Sequence, residues 1–460
     1  MTEKNSDSKC KIIAAFVSLS SHLIMHQIDV TSAHFAVAFN IPLSNISIYF
    51  SKLFSFRCLL IAVGSASEFL VSYICTKFQG SDSSNGSNGK CRKYLSMGCF
   101  GFVLVMRLWF SIILHCATRL GYFVYIILSI EAFFFGYFHC SVLAIAPEYS
   151  VPVVFAANAS RLFVLSLQFI LDLCIKSNPL VKIKIQTWVC AILTTIAVGL
   201  WVYCNVDVHS TNSNTVESSS GGSGGMNFFT TLGKASSPFL LFFAGSMFKD
   251  FLFPGVLPYA VLHRDQCHII NMLVPIANMV GPISLFTMEL NDKFKEWKDE
   301  FNCFWLLVLP MLGIFIFSMK AIHTKDVNTN VIINSKGLVL IITIILILCN
   351  SYLDPLSFGG VAKTVKPQTT GKGTENNNNA GDDSVITFHL ILALFMRFIF
   401  SKLSVGYNDT RVRLGYHLPK FRPNHKMAQS NVGSYFIRET FRRAWHDTGS
   451  DFKMNIKEYL

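Results

Sequence analysis

Long, uninterrupted apolar blocks fill most of this chain and constrain its fold more than any other feature. They span residues 12–39, 54–77, 95–115, 121–146, 151–176, 183–204, 236–262, 267–290, 302–320, 337–358 and 384–405. A helix of about 20 residues crosses the hydrocarbon core of a bilayer, where only helices and closed barrels satisfy their backbone hydrogen bonds. The blocks are too long and too continuous to be barrel strands. The sequence therefore predicts an all-α polytopic membrane protein with about eleven transmembrane helices.

The composition agrees with this fold and narrows the function. Apolar residues make up 52% of the chain and charged residues only 14%, whereas a soluble protein carries about 25% charged residues. The net charge of +12 comes from loops and the C-terminal tail, where anionic lipid headgroups explain it more simply than nucleic acid does. No GxxxxGK[ST] or HExxH string occurs, and no set of reactive groups indicates an enzyme or a bound cofactor.

The cysteines and histidines do not predict a metal site. The 13 cysteines are scattered, mostly inside apolar blocks, and contain no CxxC pair, so they are interpreted as small core residues. The string His263-Arg-Asp-Gln-Cys-His268 lies in a short loop and lacks the regular ligand spacing of a metal site. We therefore expect no bound metal.

Polar gaps divide the chain into four parts. The longest gap contains the run Ser218-Ser-Ser-Gly-Gly-Ser-Gly-Gly225, which has the composition of a flexible linker. We predict a six-helix bundle in residues 1–204, a linker in 205–235, a five-helix bundle in 236–405 and a basic tail in 406–460. A second polar insert, 364–383, is predicted to be disordered.

The basic tail carries a possible amphipathic helix. Ile437, Phe441 and Trp445 follow one another at i, i+4 and i+8, with Arg438, Arg442 and Arg443 beside them. This pattern predicts a helix on a membrane surface in contact with anionic lipids. A mostly disordered tail is the alternative. A cytoplasmic N-terminus is favoured because it places most basic loop residues on the inner side, namely Lys9, Lys11, Lys77, Lys90, Arg92, Lys93 and the lysines of 293–298. About eleven spans then place the tail outside.

Ionisable and amide side chains recur inside the apolar blocks, often at the spacing of one helix face. They are His22, His26, Asp29, Arg57, Glu68, Arg107, Glu131, His139, Arg161, Gln168, Asp172, Asn271, Asn278, His389 and Arg397. Such groups are costly in lipid and normally face a cavity or a partner. Two interpretations stay open: a water-accessible path to a polar site at mid-membrane, or polar contacts between helices. Four groups near block ends, Arg57, Asp172, Lys249 and Asp250, are expected to reach the headgroups.

Local strings near the helix junctions carry a family resemblance. Ala146-Pro-Glu-Tyr-Ser-Val-Pro152 precedes the small-residue run Ala156-Ala-Asn-Ala-Ser-Arg161. Phe253-Pro254-Gly255 lies in the seventh block, and Cys349-Asn-Ser-Tyr-Leu353 lies in the tenth. Together with the layout of six helices, a linker and five helices, these strings resemble the equilibrative nucleoside transporter family, in a divergent, protozoan-type form.

The resemblance implies a facilitative carrier of nucleosides or nucleobases. It would have the major-facilitator-like architecture of six plus five helices, whose two halves rock about a central site. The expected substrate-binding residues are His26, Gln27, Arg161 and Asn278, and the expected coupling or structural charges are Asp29, Glu68 and Glu131. The plasma membrane is the expected location.

The sequence also departs from the family pattern. The Asp and Arg of the family's eighth helix are missing, since Asn278-Met-Val-Gly-Pro282 stands there, and so is the Pro-Trp-Asn of its first helix. Two alternatives therefore remain. One is a carrier of another small polar solute on the same scaffold, such as an amino acid or a vitamin. The other is a non-transporting membrane scaffold or receptor that docks a partner through its basic tail.

Overall fold

The computed structural model describes residues 2–42, 45–78, 86–145, 150–175, 178–206, 227–324, 327–365, 384–416, 429–454 and 456. In these ranges the chain is helical and contains no β-strand. The α-helices are α1 Thr2–Ala38, α2 Ile46–Phe78, α3 Gly86–Cys116, α4 Leu120–Ile145, α5 Ser150–Cys174, α6 Pro179–Val206, α7 Phe228–Lys234, α8 Ser236–Leu252, α9 Arg264–Leu290, α10 Val308–His323, α11 Val327–Asn330, α12 Lys336–Val365, α13 Ser384–Arg413 and α14 Gln429–Phe452. A 3₁₀ helix, Asp299–Leu307, leads directly into α10.

Within the described residues, ten helical segments are long and apolar enough to cross a membrane. They are α1 to α6, α9, α12, α13 and the combined segment Asp299–His323. Their outer faces expose large apolar side chains: Val105, Trp109 and Ile112 of α3 are 55%, 51% and 52% exposed. Contiguous apolar surface of this kind is unfavourable in water and suits lipid. The predicted all-α polytopic membrane fold is confirmed.

The segment predicted at 236–262 is not one continuous helix. α8 ends at Leu252, and residues 253–262 form turns. Pro254 and Pro258 lack the backbone N–H that a helical hydrogen bond needs. The N–H groups of Val256 and Leu257 both donate to the Leu252 carbonyl, at 2.8 and 2.7 Å, and so form turns. The 17 residues of α8 give a length of about 26 Å, which is shorter than the hydrocarbon core. The mostly buried turns of residues 253–262 therefore extend this segment beyond the end of α8.

The helices before and after the predicted linker pack mainly among themselves. α1 packs against α5 and α6, α2 against α4, and α3 against α4 and α6. On the other side of the linker, α12 packs against α8 and α9, and α13 against α8. The two groups meet where α2 contacts α13 and where α1 and α5 contact α9. The four-part division stays a prediction, because most of the linker (207–226) and of the second insert (366–383) lies outside the described residues.

α9 and α12 come into backbone contact at Gly281. A Cβ atom added to Gly281 would lie 1.7 Å from the carbonyl oxygen of Ser351, so no larger residue fits there without moving a helix. The N–H of Gly281 also lies 3.3 Å from the Ser351 hydroxyl oxygen. Small residues commonly allow such approach between membrane helices. This contact holds the wall of the cleft described below.

The C-terminal helix α14 docks on the bundle through a buried charge cluster. The ammonium of Lys52 in α2 lies 2.5 Å from an Asp447 oxygen and 3.0 Å from an Asp451 oxygen, and Lys402 of α13 pairs with both aspartates. Burial raises the pKa of Asp447, but the two ammonium groups outweigh it and hold the pKa below its usual value. α14 thus connects α2 and α13, which belong to different groups of helices.

The opposite face of α14 is apolar and open. Ile437, Phe441 and Trp445 are 65%, 60% and 83% exposed, and Arg438 and Arg442 lie on the same side. The apolar and basic side chains together give α14 an amphipathic face, directed away from the bundle, of the kind that binds membrane surfaces. The helix expected in the tail is present, and its contact with anionic lipid stays a prediction.

Candidate functional site

A polar cleft lies where the two groups of helices meet. It is lined by residues of α1, α2, α5, α9, α12 and α13 and by the end of α8 with the turn after it. Its space is about 830 Å³ when the open mouth and the solvent in it are counted. The polar lining residues are His26, Asp29, Asn158, Arg161, Lys249, Asn271, Asn278, Asn350, Ser351, Asp354 and Arg397.

Arg161 is the charged group on the α5 side of the cleft. Its Nε lies 3.3 Å from Nδ1 of His26, and NH1 donates to Oδ1 of Asn158 at 2.9 Å. Neither partner is an anion, and Arg161 forms no ion pair with any other described residue. Its remaining NH2 has no hydrogen-bond partner among these residues. The guanidinium therefore has donor capacity left for a solute.

Two further cations in the cleft are already neutralised. Arg397 of α13 pairs with Asp354 of α12 at 2.7 Å, and its guanidinium lies 5.1 Å from the centre of the Phe242 ring. Lys249 of α8 pairs with Asp250 at 2.8 Å. The expectation that Asp250 reaches the headgroups is therefore wrong, because Asp250 is 2% exposed and its carboxylate is held by this pair. Because each cation is compensated by a carboxylate, these pairs shape the cleft wall and add little net charge.

Asp29 of α1 supplies an open acceptor on the same wall as Arg161. Its side chain is 43% exposed, and its nearest ionic partner is His26, at 3.8 Å. Asp29 and Asp354 both lie within electrostatic range of Arg161. The cleft thus presents acceptors and donors close together, as a neutral polar or zwitterionic solute requires.

Amide side chains complete the polar lining. Asn278 of α9 and Asn350 of α12 make no side-chain hydrogen bond with any described residue, so both amides are available to a solute. Asn271, in contrast, donates to the hydroxyls of Tyr259 and Ser32 at 2.9 and 3.1 Å. An amide that offers both a donor and an acceptor can bind two neighbouring groups of one solute.

The helices that carry these residues are interrupted beside the cleft. α1 has non-helical backbone angles at Thr31, two residues after Asp29, and the Thr31 hydroxyl donates to the Gln27 carbonyl at 2.6 Å. α8 ends next to Pro254, which itself lines the cleft. Interrupted helices at a central polar site are a recurrent feature of transporters.

Three of the four residues expected to bind substrate line this cleft: His26, Arg161 and Asn278. Gln27 does not. Its amide nitrogen donates to the Thr187 hydroxyl at 2.9 Å and contacts the Ile183 carbonyl at 3.4 Å, both on α6. Gln27 follows His26 directly in a helix, and consecutive helical residues point about 100° apart. The two side chains therefore cannot share one site.

Glu131 lies inside the N-terminal group of helices, away from the cleft. One carboxylate oxygen accepts from Arg57 at 2.9 Å and the other from Arg107 at 2.9 Å, and Glu131 is 1% exposed. The expectation that Arg57 reaches the headgroups is wrong, because Arg57 is 5% exposed and held by this carboxylate and by the Leu128 carbonyl.

Glu68 is also remote from the cleft. Its carboxylate accepts from Arg92 Nε at 2.6 Å and from the Cys140 thiol at 3.3 Å, which places it between α2, α3 and α4. Of the three charges expected to serve coupling or structure, only Asp29 faces the cleft.

Neither Asp354 nor Asn350 was among the residues expected to bind substrate. Asp354 lies in the long apolar block of α12, and its partner Arg397 is 43 positions further along the chain. From sequence, Asp354 and Arg397 could have been linked only by the argument that intramembrane charges of opposite sign tend to pair. Asn350 belonged to a string chosen for its family resemblance, and the structure places it on the cleft wall.

Comparisons with known proteins find similarity in fold only. No known family model and no curated protein matches the chain. The crystal structure of the nucleoside transporter NupG is 9% identical over 95% of this chain and 98% of that one, with a TM-score of 0.48. A mutant of the same transporter is 10% identical over 95% and 99% of the two chains, with a TM-score of 0.45.

An outward-facing bacterial homologue of the iron transporter ferroportin, soaked with iron, is 9% identical over 97% of this chain and 99% of that one, with a TM-score of 0.46. Similarity at this level assigns neither a family nor a substrate to this chain. The chain is a multi-pass α-helical membrane protein with a polar cleft between its helices.

Proposed function

We propose that this protein is a facilitative transporter that carries a small polar organic solute through the membrane by alternating access. The observation that carries the proposal is the cleft itself. It lies between the two groups of helices, and it holds a guanidinium, Arg161, that has no carboxylate partner among the described residues. A guanidinium inside the membrane that no carboxylate contacts directly is costly, and a solute that binds it lowers this cost.

The proposed solute class is nucleosides or nucleobases. A ribose offers hydroxyl groups, which carboxylates such as Asp29 accept, and a base edge offers donors and acceptors that match the free amides of Asn278 and Asn350. Phe54 and Phe253 add flat apolar surface to the cleft. Arg161, Pro254 and Asn350, from three of the strings that resemble nucleoside transporters, all line this one cleft.

The site residues that we propose are His26, Arg161, Asn278 and Asp29. Arg161 would hold a hydroxyl or carbonyl oxygen of the solute, and His26 would orient Arg161 through their 3.3 Å contact. Asp29, which is 43% exposed, would accept from the solute or carry a coupled proton. Residence in the plasma membrane is part of the same proposal.

A zwitterionic solute, such as an amino acid, is the second candidate. It is favoured by the presence of Arg161 and Asp29 in one cleft, since a carboxylate would pair with the first and an ammonium with the second. Competition of nucleosides and amino acids for the same uptake distinguishes the two solute classes.

The deciding experiment is uptake of radiolabelled purine and pyrimidine nucleosides by cells that lack their own carriers. The intact chain is compared with Arg161→Ala and, as a matched control, with Arg119→Ala, whose arginine is exposed and lies outside the cleft. We expect saturable uptake that falls at least about tenfold in Arg161→Ala at equal surface expression and is unchanged in Arg119→Ala, because loss of a charged hydrogen bond costs about 1.5–3 kcal/mol.

A well-expressed protein that takes up no nucleoside or nucleobase would refute the nucleoside proposal. Saturable uptake of another solute that still depends on Arg161 would leave the cleft as the transport site and change only the substrate.

A further inference from the structure

Three potential metal ligands from three helices meet at the end of the bundle where α1 and α5 end and α9 begins. The ligand atoms of His34, Asp172 and His268 all lie within 4.8 Å of one another. Nε2 of His268 is 3.2 Å from Asp172 Oδ2, and Nε2 of His34 is 3.5 Å from Asp172 Oδ1. The two imidazole rings meet edge to face, with centroids 4.9 Å apart.

We propose that His34, Asp172 and His268 form a binding site for a divalent transition-metal ion of the zinc type. Two imidazole nitrogens and one carboxylate oxygen are a donor set that zinc accepts, with water as the fourth ligand. The three side chains are 14%, 24% and 29% exposed, so an aqueous ion can reach them. Zinc–ligand distances of about 2.0–2.2 Å require only that these atoms draw closer by side-chain rotation.

The surroundings of Asp172 orient its carboxylate for this role. Lys182 and Gln168 both donate to Oδ1, at 2.6 and 2.7 Å, and Oδ2 is directed toward His268. Partners that hold a ligating carboxylate in place are a normal part of metal sites. Because Lys182 is a cation, it also competes with the metal for this carboxylate.

The imidazole rings are less firmly held. Nδ1 of His34 and Nδ1 of His268 are buried and have no hydrogen-bond partner among the described residues. Metal-binding histidines usually donate this second nitrogen to an acceptor, and losing such a partner weakens binding about 10- to 100-fold. We therefore expect a dissociation constant in the micromolar range and not in the nanomolar range.

A metal ion here would join the two groups of helices. His34 and Asp172 belong to α1 and α5, before the predicted linker, and His268 belongs to α9, after it. The string His263–His268 did not predict a site, because the partners of His268 come from other helices. If the protein is the transporter proposed above, a bound ion would hold the two groups of helices together and inhibit uptake.

The test is a titration of the purified full-length protein in detergent with zinc, in which calorimetry measures the heat of binding. His34→Gln and His268→Gln keep a hydrogen-bonding side chain and remove the imidazole. His263→Gln is the matched control, since His263 is exposed and lies outside the cluster. We expect saturable binding in the intact protein and the control, at least about tenfold weaker binding in each of the other two variants, and tighter binding in Lys182→Gln.

The many cysteines require a second measurement. Visible absorption of added Co²⁺ should show tetrahedral coordination without a thiolate charge-transfer band, and this spectrum should disappear in His34→Gln and His268→Gln. A cooperative thermal unfolding transition of these two variants in the absence of metal verifies that they are folded. Equal zinc affinity in all the proteins, no saturable binding, or a thiolate spectrum would each overturn the site.

Inhibition of uptake by zinc is measured separately. A chain that binds zinc but transports no solute would contradict the proposed function and leave the metal site standing.

Discussion

Replacing Glu131 by glutamine tests whether this carboxylate is a structural or a coupling group. Glutamine has the same shape but no charge, so the substitution leaves the guanidiniums of Arg57 and Arg107 buried without an anion. Both lie 2.9 Å from Glu131, and their side chains are 6% and 1% exposed. Breaking a buried ion pair by removing one partner costs about 3–5 kcal/mol.

The remaining contacts of Arg57 and Arg107 place the expected loss of stability in Glu131→Gln near the lower end of that range. Arg57 keeps its bond to the Leu128 carbonyl at 2.9 Å, and Arg107 keeps bonds of 2.8 Å to the Ser20 carbonyl and the Thr194 hydroxyl. These acceptors continue to stabilise the cations after the carboxylate is lost. We therefore expect about 3 kcal/mol, or about a hundredfold in the unfolding equilibrium.

The assay is reversible unfolding of the purified protein in mixed micelles with increasing denaturing detergent. Glu300→Gln is the matched control, because Glu300 is exposed and should change stability by no more than about 0.5 kcal/mol. A loss below about 1 kcal/mol in Glu131→Gln would refute the reasoning. A folded Glu131→Gln protein with an altered pH dependence of uptake would instead indicate a coupling role.

Three further perturbations test the packing and the tail. Gly281→Ala should lower stability by about 3 kcal/mol, because its Cβ would lie 1.7 Å from the Ser351 carbonyl oxygen; Gly313→Ala, with nothing within 4 Å, should be neutral or stabilising in the same thermal unfolding assay. Asp447→Asn should weaken the docking of α14 and make the chain after α13 more sensitive to protease. Because the pKa of Asp447 is lowered in the folded protein, its stabilising contribution should be lost progressively as the pH falls below about 4, and the protease sensitivity of the intact protein should rise in the same range. Trp445→Phe should reduce, without a loss of stability, the quenching of tryptophan fluorescence by brominated anionic lipid, because the other lipid-facing tryptophans such as Trp109 remain; equal quenching in both proteins would contradict the membrane contact of α14.

The polar residues show where prediction from sequence succeeds. Stripe spacing placed His26 and Asp29 on one face of α1, and both line the cleft. Helix geometry alone directs Gln27 away from that face, so the expectation that Gln27 binds substrate beside His26 could have been excluded from the sequence. The break after Leu252 does not follow from Pro254 and Pro258 alone, because Pro275 and Pro282 lie inside the continuous helix α9.

Other contacts depended on partners distant in the chain. Glu131 and Arg57 are 74 positions apart and form a buried pair. His268 and Asp172 are 96 positions apart. Nothing in the local pattern distinguishes an arginine that meets a carboxylate from one that reaches the headgroups, because both begin as a charge near the end of an apolar block.

The sequence by itself determined the membrane-spanning fold and the approximate position of its helices. Hydrocarbon leaves the backbone no partners except its own groups, so apolar blocks of this length must be helices. Only the tertiary structure decided which polar side chains meet, which are neutralised and which, like Arg161, contact no carboxylate among the described residues. That choice depends on how the helices pack and rotate against one another, and close contacts such as Gly281 on Ser351 set it across long separations in the chain.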